Sequence, residues 1–215
     1  MLFAKTTNRD DSGERESALD LLHADASRHF FEPKGTVRCE GRPFFRTRSA
    51  RDAACLADVD PAVARWSCLS IAVGRADRLH VPDLALEAAD GSIELLDAHA
   101  DEGPSLPPWV PEEVNRLGYG YRIVDTGSMR QGHRLENARE LLRYAGWRVG
   151  LDARIRLIAA LEDQGSLPVR SCMDVLGTRD AIAAIAALAL RRFVDLELDE
   201  APIGPETTVR PARSA

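Results

Sequence analysis

Residues 78–100 read RLHVPDLALEAADGSIELLDAHA, the segment with the clearest structural pattern in the chain. Apolar and polar residues alternate along it on both sides of an Ala-Asp-Gly sequence at 89–91. An aspartate–glycine turn between two alternating runs is typical of a β-hairpin. The segment therefore predicts two antiparallel strands, the first resuming after Pro82 and the second covering 92–100.

The length of the turn decides which side chains of this hairpin share a face. With a three-residue turn and its glycine in the left-handed conformation, Ala88 pairs with Ser92, and Asp83 lies opposite Asp97. A two-residue turn would instead pair Asp83 with Ala98 and point Asp97 to the other face. Two carboxylates on one face could together bind a hard divalent cation such as Mg²⁺, which prefers oxygen ligands.

The regions around the hairpin predict a mixed α/β domain over residues 31–147. A helix over 49–58 ends before Asp60-Pro61, because a residue that precedes proline disfavours the helical conformation. A second helix begins near Pro111, where two glutamates suit the positive end of the helix dipole. An amphipathic helix, RLENARELLRYA, ends at Gly146. Further strands are expected at 36–40, 43–48, 69–73 and 118–125.

Residues 151–210 predict a small winged-helix-like domain, and residues 1–30 predict a flexible N-terminal tail. Three helical segments are followed by two alternating segments joined by a Pro/Gly turn. The third helix reads AIAAIAALAL, and a helix that is apolar all round is buried or faces another protein. We interpret this domain as a packing or partner-docking unit. The alternative is phosphate contact by Arg170, Arg191 and Arg192.

The charge distribution argues against strong autonomous DNA binding. The chain has 28 basic and 34 acidic residues and a net charge of −6. Non-specific DNA binding depends on neutralising phosphates, so any attraction must come from local patches. The best patch is an arginine-rich run near the start of the α/β domain, which makes four residues candidate phosphate contacts: Arg42, Arg46, Arg48 and Arg51.

Composition also predicts the compartment. No apolar run approaches the ~20 residues that span a membrane, and the N-terminus lacks the apolar core of a signal peptide. We therefore expect a cytoplasmic protein without a membrane partner. The cysteines Cys39, Cys55, Cys68 and Cys172 are widely spaced, which predicts free thiols rather than a zinc site or a disulfide framework.

Three segments in order carry a resemblance to a known family. ARDAACLADVDP at 50–61, VARWSCLSIAV at 63–73 and PDLALEAADGSIELLDAH at 82–99 resemble the TnsA family, the endonuclease subunit of certain cut-and-paste bacterial transposons. Family members typically read ERDFLLLLDFDP, VVRYEEQPVTI and PDFLVRYADGRRELVEVK, and RLENARELLRYA is similar to their NARLLLRY helix. The resemblance covers about residues 31–210. It implies a restriction-endonuclease-like mixed sheet flanked by helices and followed by a winged helix.

The departures from the family pattern fall at the catalytic positions. In such nucleases two acids bind the metal that activates water, and a lysine two residues after the second acid orients that water. The resemblance places the acids at Asp83 and Asp97, but puts His99 at the lysine position and Ala50 at the position of a helix glutamate. Both lysines of the chain lie within the first 34 residues, so no lysine replaces it from another part of the core.

Three functions remain open from the sequence. The first is a catalytically degenerate TnsA-like protein that binds DNA, weakly or with assistance, or a protein partner such as the transposase or ATPase of the family. The second is an active endonuclease that uses Mg²⁺ at a variant Asp83, Asp97 and His99 site. The third is a winged-helix regulatory protein. None of them requires a small-molecule cofactor. His80 is interpreted as a surface histidine.

Overall fold

The computed structural model describes residues 9–75, 78–99 and 106–212. The chain divides into two compact units. The first consists of Met1–Phe31 and Arg38–Ser128, and the second of Glu32–Val37 and Met129–Ala215.

The first unit is built from helices and strands in alternation. In chain order they are α1 (Arg9–Ala26), α2 (Arg48–Val59), β1 (Val63–Cys68), β2 (Val73–Arg75), β3 (Arg78–His80), β4 (Leu84–Ala88), β5 (Ile93–His99), α3 (Val110–Arg116) and β6 (Gly120–Asp125). A short helix, α4 (Thr126–Met129), follows where the two units divide. The expected α/β class is confirmed.

A four-stranded mixed sheet forms the centre of this unit, in the order β1-β4-β5-β6. β4 pairs antiparallel with both β1 and β5, whereas β6 runs parallel to β5. Val110 and Val114 of α3 pack on Ala85 and Leu95 of the central strands. Helix α2 packs against β1, β4 and β5. β2 and β3 form a separate two-stranded ribbon.

The register of the β4–β5 hairpin is the one that the three-residue turn predicts. Leu84 pairs with Leu96 and Glu87 with Ile93, which places Asp83 opposite Asp97. The turn glycine, Gly91, has a φ of 82°, a left-handed conformation that favours glycine. The two aspartates therefore share one face of the sheet, as required for any joint role.

Two strands expected before α2 do not form. The segments 36–40 and 43–48 contain a single isolated bridge, between Cys39 and Trp66, and Arg48 already belongs to α2. The strand expected at 69–73 is also displaced. β1 ends at Cys68, and Leu69 has a φ of 44°, which interrupts an extended strand. The strands predicted at 36–40 and 43–48 are therefore wrong, and the strand predicted at 69–73 is replaced by β2, which begins at Val73.

The N-terminal region differs from the predicted tail, because Arg9–Ala26 form α1. Its sequence lacks a continuous apolar stripe, and polar contacts hold it to the first unit instead. Arg15 donates to the carbonyl of Gly74 at 2.6 Å, and the His23 ring lies 2.9 Å from the carbonyl oxygen of Leu69. The part of the predicted tail at 1–8 lies outside the described residues.

The second unit contains helices around a small antiparallel sheet. Its elements are α5 (Arg134–Leu142), α6 (Leu151–Gln164), β7 (Leu167–Pro168), α7 (Val169–Leu176), α8 (Ala181–Leu190), β8 (Val194–Leu196) and β9 (Thr208–Pro211), with the sheet order β7-β9-β8. α8 is buried along most of its length, as its apolar sequence predicts, and Ile182 is its exposed exception.

Helix α5 belongs to this second unit rather than to the predicted 31–147 domain. It packs against α8, and the amide of Asn137 donates to the carbonyls of Leu198 and Ala201 at 2.8 Å each. The Asn137 side chain also accepts from the Ile203 N–H at 2.9 Å. The amphipathic pattern identified a helix correctly, but it could not indicate which core the apolar face joins. None of the helices in the described parts of the chain is both long and apolar enough to cross a bilayer.

Candidate functional site

The two predicted acids lie together at one end of the β4–β5 hairpin. Asp83 directly precedes β4 and is 6% exposed, and Asp97 lies in β5 and is 2% exposed. Two carboxylates at this depth are expensive to bury unless each oxygen finds a partner. The contacts of these oxygens therefore decide what the site can bind.

Both oxygens of Asp83 accept hydrogen bonds from the protein. Arg46 donates to its Oδ1 from Nε at 3.0 Å and from Nη2 at 2.7 Å. The N–H of Ala98 donates to Oδ2 at 3.0 Å. The charge of Asp83 is thus paired with a guanidinium that belongs to the same unit.

Asp97 is bonded at both oxygens as well. Its Oδ1 accepts from the N–H of Asp83 at 3.3 Å and lies 3.8 Å from Nη2 of Arg46. Its Oδ2 accepts from Nε2 of His80 at 2.7 Å and from the hydroxyl of Tyr121 at 2.6 Å. Each of the four carboxylate oxygens of the pair therefore has at least one donor.

Arg46 reaches the acids from the segment that leads into α2. The neighbouring side chain of Phe45 packs near Trp66, with ring centroids 6.2 Å apart, and Thr47 caps α2 by accepting from the N–H of Ala50 at 3.1 Å. Arg46 also donates to the carbonyl of Val81 at 2.9 Å. An anchored ring on one side and a helix cap on the other fix the backbone that carries the guanidinium.

Burial and hydrogen bonding shift the pKa values of Asp83 and Tyr121. Burial raises the pKa of Asp83 above its usual range, while Arg46 and the N–H of Ala98 oppose that rise. The pKa of Tyr121 is also raised, by burial and by the hydrogen bond that its hydroxyl gives to Asp97. Tyr121 therefore remains a protonated donor at neutral pH.

The acids do not fit a divalent cation as they are arranged. A hard cation needs carboxylate oxygens directed at one point, whereas here each of the four oxygens already accepts a hydrogen bond from the protein, which a cation would have to share or displace. The positive charge between the acids is the Arg46 guanidinium. Over residues 9–75, 78–99 and 106–212, no three His, Cys, Asp or Glu side chains are grouped to hold a metal ion.

The other two positions that the family resemblance singled out, His99 and Ala50, make no contact with the acids among the described interactions. His99 ends β5, two residues from Asp97, and its half-buried imidazole makes no hydrogen bond or ion pair with another described residue. The His99 carbonyl accepts a hydrogen bond from the Thr126 hydroxyl at 2.9 Å. The Thr126 hydroxyl also lies 2.8 Å from the Ser49 hydroxyl. Ala50 is buried in α2.

The four arginines predicted to contact phosphate divide into two pairs. Arg46 is bound to the acids, and Arg51 is 1% exposed, with its guanidinium 5.2 Å from the ring centroid of Phe45. Arg51 is therefore not available to a phosphate at the surface, contrary to the prediction. Arg42 and Arg48 are exposed.

Sequence reasoning missed two members of the network. His80 is not a surface histidine, since its side chain is 12% exposed and bonded to Asp97. Tyr121 lies in β6, where the parallel register pairs it with Leu95 on the same face as Asp97. The period-two alternation of a strand next to β5 could have identified Tyr121. No local pattern distinguishes His80.

Comparison with known proteins adds no identity to this site. The chain matches no protein-family model, and it matches no curated protein. What is established is an α/β protein with a four-stranded mixed sheet, in which a buried acidic pair is hydrogen-bonded by Arg46 and other protein groups.

Proposed function

We propose that this chain is a TnsA-like DNA-processing protein that has lost metal-dependent cleavage and acts as a DNA- or partner-binding module. The observation that carries the proposal is the double hydrogen bond from Arg46 to Asp83, which puts a guanidinium where a nuclease needs a cation. The absence of a lysine at position 99 points the same way, because a metal-bound water would lack its orienting group.

The arrangement of the strands supports the restriction-endonuclease-like part of this proposal. The first acid precedes one strand and the second lies directly opposite on the next strand, as the family pattern requires. The second unit supports the winged-helix part, since three helices (α6, α7 and α8) are followed by two paired strands. Fold resemblance does not determine activity, so we infer the loss of cleavage from the contacts of the acids.

DNA contact would fall to Arg42 and Arg48. Their guanidiniums lie over the rings of Phe44 and Phe31, at 5.4 and 5.9 Å from the ring centroids. Neither forms an ion pair with a described acid, so both charges can face a phosphate. Two such contacts give weak binding that falls by roughly 2 log units per tenfold rise in salt.

Partner contact would fall to the second unit. Its helix α8 is buried in the unit's own core, so it is not arranged as a DNA-reading helix with exposed polar side chains. Under the family resemblance, the partner is transposase- or ATPase-like.

The first test is cleavage of supercoiled plasmid by the purified chain with Mg²⁺ or Mn²⁺. We expect no nicking above that of the Asp83→Ala variant, because the Arg46 guanidinium already lies between the two acids, where a metal ion would bind. Robust nicking that disappears in Asp83→Ala would refute the loss of cleavage and favour the active endonuclease.

The second test is fluorescence anisotropy of labelled duplex DNA at several salt concentrations. The Arg42→Ala/Arg48→Ala double variant should bind more weakly and with a smaller salt slope. The matched control is Arg116→Ala/Arg122→Ala, which removes the same charge from exposed arginines paired with Glu113 and Glu94. Equal losses in both double variants would show that net charge, rather than this surface, attracts the DNA.

A further inference from the structure

Two cysteines distant in sequence are brought together beside the edge of the main sheet. Cys39 forms a parallel bridge with Trp66 of β1, where the Glu40 N–H donates to the Trp66 carbonyl at 2.7 Å and the Trp66 N–H donates to the Arg38 carbonyl at 3.0 Å. Cys68 lies two residues beyond Trp66 and therefore projects to the same face of β1. The bridge thus holds the two thiols side by side.

The two thiols are neighbours that influence each other's titration. The N–H of Phe44 donates to Sγ of Cys68 at 3.4 Å, and the Cys39 thiol, 3.9 Å from the carbonyl oxygen of Glu40, is a second hydrogen-bonding neighbour of Cys68. Hydrogen bonding to Cys39 and Phe44, with the nearby positive charge of Arg51, lowers the pKa of Cys68 despite its burial. The same pairing with Cys68 raises the pKa of Cys39, to which burial also contributes.

Cys39 and Cys68 also differ in exposure to solvent. Cys39 is half-buried, whereas Cys68 is buried, with 7% of its surface exposed. The thiolate is the reactive form of cysteine, and a low-pKa cysteine next to a second thiol is the usual arrangement of a peroxide-sensitive site.

We propose that Cys39 and Cys68 are a redox-active pair that closes to an intramolecular disulfide on reaction with a hydroperoxide. The Cys68 thiolate attacks one peroxide oxygen, the O–O bond breaks, and hydroxide leaves, so that Cys68 becomes a sulfenic acid. The Cys39 sulfur then attacks the Cys68 sulfur, the S–O bond breaks, and the Cys39 proton leaves with the hydroxyl group as water. In sum, two thiols and one hydrogen peroxide give one disulfide and two waters.

The other two cysteines serve as internal controls. Cys55 and Cys172 are both 0% exposed. Burial raises the pKa of Cys172 to about 11, so it remains a thiol at neutral pH. Neither is expected to react while the chain is folded.

The Cys39–Cys68 disulfide would form close to the acidic pair. Leu69 follows Cys68 directly and donates its N–H to the carbonyl of Asp83 at 3.1 Å. A disulfide would tie the segment around Cys39 to the end of β1 at this point. It would also restrict the unfolded chain between the two cysteines, so the oxidised protein should unfold at a higher temperature.

The test uses the full chain, treated with hydrogen peroxide, denatured, alkylated and digested with trypsin. We expect mass spectrometry to find residues 39–46 linked to residues 66–75, with the loss of two hydrogen atoms. Cys55 and Cys172 should be alkylated as in the untreated protein. In Cys39→Ser, the sulfenic acid at Cys68 should persist and be trapped by dimedone, whereas Cys172→Ser should still form the link.

Two results would overturn the proposal. One is full alkylation of all four cysteines after peroxide treatment of the unmodified chain. The other is a disulfide that joins Cys39 or Cys68 to a different cysteine, or that joins two molecules as a dimer on a non-reducing gel. Because both are read from the unmodified chain, the proposal stays testable even if a serine variant fails to fold.

Discussion

The two compact units differ in how many polar side chains they bury. Among the described residues, the buried polar side chains of the first unit are Ser49, Arg51, Asp52, Asp58, Asp83, Asp97 and Thr126, and the second unit has Asn137 alone. Burying charged groups costs free energy that apolar packing does not. The first unit therefore carries a polar interior that a purely structural domain would not need, whereas the second is built like one.

The polar interior of the first unit extends beyond the acidic pair. Oδ1 of Asp58 accepts from the N–H of Arg38 at 2.9 Å and from Nε1 of Trp66 at 3.0 Å. Such networks stabilise the fold only while every member keeps its partner. Removing one partner should therefore cost more in this unit than removing an apolar side chain of comparable size in the other.

The largest effect is expected from Arg46→Ala, which leaves the buried charges of Asp83 and Asp97 without their guanidinium. We expect the free energy of unfolding to fall by about 4 kcal/mol, as for other broken buried ion pairs. Urea denaturation measures it, and Arg42→Ala is the matched control, since an exposed arginine should cost less than about 0.5 kcal/mol. Similar values for the two variants would mean that the acids are stabilised by other groups.

A smaller loss is expected in the apolar unit from Leu188→Ala. Leu188 is 1% exposed in α8, and truncating a buried leucine leaves a cavity that costs about 3 kcal/mol. Ile182→Ala on the same helix is the control, because Ile182 is 52% exposed. If the two substitutions cost the same by calorimetry, α8 is not the packed centre of its unit.

Asn137, the buried polar side chain of the second unit, should give a smaller loss than either of these. Asn137→Ala leaves the carbonyls of Leu198 and Ala201 and the N–H of Ile203 without this partner, which should cost about 2 kcal/mol. Urea denaturation measures the loss against Glu140→Ala, an exposed position on the same helix. A cost below that of the control would show that water replaces the Asn137 amide without penalty.

The smallest effect concerns pH. The folded-state pKa of Asp83 is raised, so the folded chain binds more protons than the unfolded chain between the two values. The stability from this group is complete below its unfolded pKa of about 3.9 and is lost as pH rises through the folded pKa. In Asp83→Asn, the free energy of unfolding should therefore decline less with rising pH in that window. Parallel curves for the two proteins would contradict the raised pKa.

Local patterns in the sequence were sufficient for the elements whose geometry is set by neighbouring residues. The turn at 89–91 fixed the pairing of Asp83 with Asp97, and the composition of α8 predicted its burial. The helix over 49–58 was also expected within one residue at each end. In each case, the sequence pattern that decides the outcome lies within a short stretch of the chain.

The site itself depends on contacts that no local pattern encodes. Arg46 meets Asp83 across 37 residues, and His80 meets Asp97 across 17. As an arginine in a basic run, Arg46 was expected to face solvent and DNA, but the buried acids provide a stronger partner. The prediction of strands at 36–40 and 43–48 was wrong for a similar reason. Residues of these segments contact β1, but they do not form a continuous hydrogen-bonded pairing with it.

The distance along the chain between Arg46 and the acids has a consequence for the order of folding. The β4–β5 hairpin closes over 14 residues, whereas Arg46 must dock from 37 residues away. Short loops close with less loss of chain entropy, so we expect the hairpin to form with its carboxylates still hydrated. Docking of Arg46 would then expel that water late. The Arg46→Ala substitution should therefore accelerate unfolding and leave the folding rate nearly unchanged.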